Sequence, residues 1–508
     1  MAGWARRHWL FGIALAGAVA IRVLVVVAFG PVMWFGGDSA SYLSTGLRLI
    51  PDPSRVGGYG FCLWLLRPLH SFVAVAAVQH AMGVAMGVLI YRLARRYGLP
   101  GWAATLAALP VFFDAYQLQL EQDMLPDIPF VFLIVLALYL LLRAPGGGRL
   151  AATAIAALAL GLSAILWPVG LALLLVLLVY LVYLAVRGGR TRWAVAGAAL
   201  LCGVMPVLGY AGWFDVHEGQ FSLTRSDGAY LWSRTMSFAD CAVIKPPAAE
   251  QSLCPPEGPR MAASLYLWND DSPLLAMPGG RFSARTNSLA LNFALRAIET
   301  QPGGYLTAAA HDFWLSFYWD RPVHPDADTV DRYQFADAAT AWVPATMGTR
   351  DGGTVASDQA RYAGSPSPTR LSQPLARWLV SYQNWIYLRG TLLGLILLGG
   401  LAAMIVRRRA AGAALAWAFA LTLLLVPPLT ADFDLRYLIP AVPVACLAAA
   451  LACAPRHGRP GTPDKRMCTT SPAATATTAR PTRTAPAGDV STTSLPSEST
   501  STASPDSS

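Results

Sequence analysis

Apolar residues run in blocks along this chain, and polar residues gather between the blocks. Ten blocks approach the roughly 20 residues needed to cross about 30 Å of hydrocarbon. They are 9–29, 71–91, 99–115, 126–142, 150–167, 169–186, 193–213, 385–406, 411–428 and 437–454. The pattern predicts an all-α polytopic membrane protein with about ten transmembrane helices. The block at 9–29 follows basic residues, but no small-x-small cleavage site closes it, so it reads as an uncleaved first helix. Residues 1–213 thus form an N-terminal membrane module with outer loops at 30–70 and 114–127, and residues 385–454 form the C-terminal helices.

Residues 214–384 carry no block of that length. From Ser288 to Trp319 the apolar and aromatic residues recur with helical period on one face. That predicts one or two helices lying on the membrane surface or capping the bundle. The Gly-, Ser- and Pro-rich stretch 344–372 predicts a mobile segment. After Pro455 the chain is rich in Ser, Thr, Pro and Ala and has no Phe, Trp or Tyr. Such a tail, 455–508, cannot bury enough apolar area to offset its ordering entropy and is expected to be disordered.

Composition excludes a soluble fold. Of 508 residues 55% are hydrophobic and 13% charged, with a mean hydropathy of +0.45, whereas soluble domains are about a quarter charged. The net charge of +9 could suggest a nucleic-acid partner, but its distribution argues against one. Basic residues cluster in alternate loops: Arg6-Arg7, Arg92/Arg95/Arg96, Arg143/Arg149, Arg187/Arg190/Arg192 and Arg407-Arg408-Arg409. That is the positive-inside pattern. It predicts a multi-pass protein of the cell membrane with both termini cytoplasmic and 214–384 outside. The basic start of the tail (Arg456, Arg459, Lys465, Arg466) suits an anionic inner leaflet.

Seven cysteines occur, and only Cys241 and Cys254 lie in the large outer loop. An oxidising exterior permits a disulfide between them, worth roughly 3 kcal/mol for a loop of this length. The others show no metal-ligand spacing.

Candidate chemistry sits at the outer ends of helices, where charge is costly and so functional by default. In Gly36-Gly37-Asp38-Ser39-Ala40-Ser41-Tyr42, Asp38 suits a helix N-cap and equally a general base or metal ligand. The second outer loop holds Asp114, Glu121, Asp123 and Asp127 with no Lys or Arg among them. It is either a solvated connector or a carboxylate cluster that serves a cation or catalysis. The last outer turn, Thr430-Ala431-Asp432-Phe433-Asp434-Leu435-Arg436, places Arg436 at the start of the tenth helix. There it can pair with Asp432 or Asp434, snorkel, or hold a phosphate bidentately. Arg22, deep in the first helix, is expected to face the bundle or snorkel outward.

Three of these stretches, in order, carry a resemblance. The first outer loop has an early Asp and then Ser54-Arg55-Val56-Gly57-Gly58-Tyr59-Gly60-Phe61. Leu125-Pro126-Asp127 follows an acidic outer segment, and Arg436-Tyr437-Leu438-Ile439-Pro440 opens the last helix. The chain resembles the GT-C glycosyltransferases, the protein O-mannosyltransferase and aminoarabinose-transferase branch, although the prolines usual around the first-loop Gly-Tyr are absent. The Cys241/Cys254 segment is similar to that of uncharacterised actinobacterial members. The resemblance implies a GT-C-like bundle and a polyprenyl-phosphate sugar donor. It implies inverting transfer to an envelope glycan, lipid or protein acceptor, with Asp38, Glu121 and Asp123 as the catalytic carboxylates. It implies Arg436, Tyr437, Arg55, Tyr59 and Tyr42 as holders of the lipid phosphate and sugar. Some branches use a divalent metal, for which Asp38, Glu121 and Asp123 would be the ligands. Two other readings stand beside it: a transporter or flippase of a lipid-linked or small solute, and a non-catalytic envelope-assembly protein. The first is expected to show internal repeats and broken helices, and no clear repeat is present.

Overall fold

A computed structural model describes residues 2–143, 149–338, 344–349, 352–407 and 411–455. The side chains of Arg6, Arg7 and Arg149, all of Arg408 and Arg409, and the tail from Arg456 onward lie outside the described residues, and with them the expectation of disorder.

Each of the ten apolar blocks is a helix. Seven are long and apolar enough to span a membrane: His8–Ala28, Phe72–Arg96, Val169–Val186, Arg190–Glu218, Gly390–Arg407, Gly412–Thr430 and Leu435–Cys453. Three shorter apolar helices, Gly101–Phe113, Asp127–Arg143 and Leu150–Leu166, fill the remaining places. Among the described residues no strand forms; only two isolated bridges occur. A bilayer cannot satisfy backbone N–H and C=O groups, so helices that satisfy their own are the expected solution. The surface fits that solvent. Leu175, Val179, Leu201, Met205, Leu398 and Val406 are all more than half exposed, as lipid-facing residues can be without penalty. Where two helices must touch, small residues let them: a Cβ on Gly161 would sit 2.1 Å from the Gly203 carbonyl oxygen.

Between Gly219 and Arg389 the helices are short, the longest being Ala284–Thr300. The helical stretch expected at Ser288–Trp319 is two helices, Ala284–Thr300 and Pro302–Leu315. Pro302 starts the second one, at a position where a missing N–H costs nothing. Trp232, Met236, Phe293 and Ala294 pack a second apolar core here. The Trp232 indole N–H donates to the Leu253 carbonyl at 2.9 Å, and Cys241 is disulfide-bonded to Cys254.

The expected mobile stretch 344–372 contains a fixed helix, Val355–Ala363, with a Thr354/Ser357 capping box. Asp358 accepts both of its hydrogen bonds from Arg48 at 2.8 Å. Tyr362 is fully buried, stacked on Phe72. Glycine, serine and proline flank this helix and mask it in the sequence.

Candidate functional site

The helix Gly36–Arg48 opens the first outer loop, and Asp38 lies in its first turn. Asp38 does not cap this helix. The Ser39 hydroxyl accepts from the Phe35 N–H at 2.8 Å and donates to the Met124 carbonyl at 3.1 Å, which leaves the Asp38 carboxylate free to face other groups. A close approach steadies this helix against Gly58–Leu66: a Cβ on Gly46 would sit 2.9 Å from the Gly60 carbonyl oxygen. The segment joining the two helices carries Arg55.

Two guanidiniums hold Asp38. Arg55 Nη1 donates to its Oδ1, and Arg436 Nη1 donates to its Oδ2 at 2.8 Å. Arg436 also donates through Nε to both oxygens of Asp127, at 3.0 and 3.1 Å. Its guanidinium carbon lies 5.6 Å from the ring centres of Phe35 and Trp167. Of the pairings open to Arg436, the structure selects neither Asp432 nor Asp434 for the guanidinium. Asp434 instead caps the short helix Leu435–Leu438 by accepting from the Arg436 backbone N–H at 3.1 Å.

These groups face a cavity of about 270 Å³. Asp38, Arg55, Arg436 and Tyr437 line it, together with Tyr230, Trp268, Tyr333, Asp432 and Asp434. A small recess of about 10 Å³ lined by Leu423, Leu424, Pro427 and Pro428 shares Phe433, Asp434 and Tyr437 with it. Burial pushes the Asp38 carboxyl up, but the charges of Arg55 and Arg436 outweigh it and hold the group below the usual carboxylate range. Asp434 goes the other way. Burial raises it to about 6, against the hydrogen bond it accepts from the Tyr333 hydroxyl at 2.7 Å.

The remaining expected residues lie elsewhere. Tyr42 is buried with its ring 6.0 Å from the Arg55 guanidinium carbon. Tyr59 is buried against it and donates to Gln79 Oε1 at 2.7 Å. Neither lines the cavity. The acidic segment 114–127 is buried throughout rather than solvated, and each carboxylate has its own partner. Asp114 caps Ala115–Gln122 and accepts from the Leu388 N–H at 2.7 Å. Glu121 receives Arg22 Nε and Nη2, each at 2.7 Å, and His80 Nδ1 lies 2.8 Å away. Arg22 therefore faces the bundle. Asp123 accepts from Gln119 Nε2 at 2.6 Å, and Asp127 takes Arg436.

Asp38, Glu121 and Asp123 do not come together as metal ligands, since arginines already neutralise the first two. Among the described residues one group of three has metal-ligand geometry: Asp312, His324 and Asp432. Asp127, Asp432, Tyr333 and Trp268 were not singled out from sequence as site residues. For Asp127 the signal was there, in its place directly after Pro126 at the start of a helix.

Residues 67–222 match the family model described as dolichyl-phosphate-mannose-protein mannosyltransferase. No curated protein sequence matches the chain. Three solved structures are similar. One is the protein O-mannosyltransferase complex of S. cerevisiae bound to its sugar donor, at 16% identity over 44% of this chain and 36% of that one, TM-score 0.33. The second is the apo oligosaccharyltransferase of Archaeoglobus fulgidus, at 13% over 88% and 50%, TM-score 0.41. The third is ArnT of Cupriavidus metallidurans bound to undecaprenyl phosphate, at 13% over 85% and 76%, TM-score 0.34. The chain spans about a third of the first structure's length and half of the second's. The match over 67–222 bears out the resemblance to the protein O-mannosyltransferase branch of the GT-C glycosyltransferases, in a multi-pass helical membrane protein.

Proposed function

We propose that this chain transfers a sugar from a polyprenyl-phosphate donor to a hydroxyl of an extracytoplasmic acceptor, with inversion, and that Asp38 is the general base. One observation carries the reading: Asp38 is held by Arg55 and Arg436, and all three line one cavity of about 270 Å³. A donor of this class carries a phosphate joined to a sugar, and the guanidinium pair and the cavity match those two parts.

The arrangement couples donor binding to base strength. The donor phosphate competes with Asp38 for the two guanidiniums. As it takes them, Asp38 loses the charges that depress its basicity. The acceptor oxygen then attacks the anomeric carbon and its proton passes to the Asp38 carboxylate. The bond from that carbon to the phosphate oxygen breaks, and the polyprenyl phosphate leaves on Arg436 and Arg55. A phosphate leaving group needs little acid assistance, so one base and a cationic clamp suffice. Attack opposite the leaving group inverts the anomeric centre. Asp127 steadies Arg436 by holding its Nε edge.

The orientation that suits this chemistry has both termini cytoplasmic and 214–384 outside, in the cell membrane. A cysteine placed at Ser357 is then labelled from outside and one at Ser471 is not; the reverse result overturns the orientation. The test of the activity is incubation of membranes with a labelled polyprenyl-phosphate sugar. Transfer by the wild type that is lost in Asp38→Asn supports the reading. Equal transfer by both removes Asp38 as base.

A further inference from the structure

The helix Pro302–Leu315, the loop at His324 and the turn at Asp432 meet at the edge of the donor cavity. Asp312 and Asp432 are 5% and 4% exposed, and His324 is partly buried between them. One carboxylate oxygen from each Asp and one ring nitrogen of His324 all lie within 4.8 Å of one another. His324 Nε2 is 2.7 Å from Asp432 Oδ1. Asp432 Oδ2 accepts from the Ser264 N–H at 2.8 Å and its hydroxyl at 2.9 Å. Asp312 Oδ2 accepts from Arg234 Nη1 at 2.5 Å, and its Oδ1 is 3.1 Å from His311 Nδ1.

Two buried carboxylates this close repel each other, and the arginine that meets them, Arg234, stands on the Asp312 side. Arg234 touches Asp312, and Ser264 orients Asp432 from behind. That is how partners behind a metal ligand fix its orientation. Asp432 Oδ1 also accepts from the Phe433 N–H at 2.9 Å, so an ion bound here takes the place of the proton between His324 Nε2 and Asp432 Oδ1. One imidazole nitrogen and two carboxylate oxygens are a donor set for borderline divalent ions such as zinc, cobalt or manganese. The three ligands leave further coordination positions, and Asp432 itself lines the cavity.

We propose that Asp312, His324 and Asp432 form a binding site for a first-row divalent cation at the edge of the donor cavity. It is distinct from Asp38, Glu121 and Asp127, which arginines occupy. The ion ties the large loop to the turn before the last helix, and it adds positive charge beside a cavity read as taking a phosphate. Its binding test does not depend on that reading.

The test is a Co²⁺ titration of the untagged full chain in detergent, stripped first with chelator and followed by visible d–d absorption, then displaced with Zn²⁺. The expected result is one Co²⁺ per chain, with a band that Zn²⁺ removes. Losing even a partner behind a ligand costs about 10–100-fold in affinity, so His324→Gln and Asp432→Asn are expected to weaken binding about tenfold or more. Both keep a hydrogen-bonding group in the pair, and circular-dichroism melts check that they fold. Asp312→Asn is the third ligand variant, and Asp358→Asn, far from the cluster, is expected to bind as the wild type does. A wild type with no d–d band overturns the site. So does a folded ligand variant, any of the three, that titrates like the wild type.

Discussion

Two carboxylate–arginine clusters are built on carboxylates of the N-terminal module, and they differ in what remains open. Glu121 is sealed: it is 0% exposed, receives two hydrogen bonds from Arg22 and sits against His80. The packing around it is so close that a Cβ on Gly83 would fall 1.9 Å from its Oε1. The Asp38 side chain is 26% exposed and borders a cavity, although it is held by two guanidiniums where Glu121 has one. A buried ion pair is therefore no mark of chemistry in itself. The difference lies in access and in exchange: Asp38's partners can be shared with an incoming anion, and Glu121's cannot.

That comparison is broken most directly at Asp38. Asp38→Asn is expected to keep the fold and to lower sugar transfer by about 10²–10⁴-fold, the usual contribution of a general base. Glu121→Gln is expected to do the opposite. It leaves Arg22 buried without its counter-charge and costs about 3–5 kcal/mol of stability, read as a lower melting temperature in detergent, while transfer per folded molecule stays near wild type. A stable Glu121→Gln protein with no transfer would erase the distinction between the two clusters.

Arg436→Lys comes next. An ammonium cannot bridge Asp38 and Asp127 as the planar fork does. Losing one charge-assisted hydrogen bond at about 1.5–3 kcal/mol predicts about 10–100-fold weaker transfer, carried mainly in the donor KM. The smallest effect is expected at Asp434. Its folded pKa of about 6 lies above the ordinary carboxylate value, so the fold favours the protonated form. Its contribution to stability is present below about pH 4 and is lost as the pH rises through about 6. Asn remains a good N-cap, so Asp434→Asn is expected to flatten the fall in melting temperature between about pH 4 and about pH 6.

All ten apolar blocks were legible as helices, seven of them long enough to span a membrane, because a lipid solvent forces apolar blocks of fixed length. The division of labour among the acidic residues was not. Arg22 is 99 residues from Glu121, and Arg436 is 309 residues from Asp127. A local scan of 114–127 sees four carboxylates without a cation and cannot find the arginines that serve them. The same holds for Arg48 and Asp358, 310 residues apart. Their pairing anchors a stretch that composition alone marks as loose. Asp38, Arg55, Arg436 and Tyr437 were legible as a group only through the ordered resemblance, and Tyr42 and Tyr59 came with them although they pack behind the cavity. The approach of His324 to Asp432 left no trace in sequence spacing.

Arg436 completes an ion-pair cluster with Asp38, Arg55 and Asp127, all translated long before it. Asp38 and Arg55 lie in the first outer loop, and Asp127 opens the fourth helix, yet the guanidinium between Asp38 and Asp127 arrives 398 residues after Asp38. During synthesis, the two carboxylates wait in the membrane protein without their shared cation until the last helix is inserted. A nascent chain halted before that point can hold a folded first module and still lack the clamp.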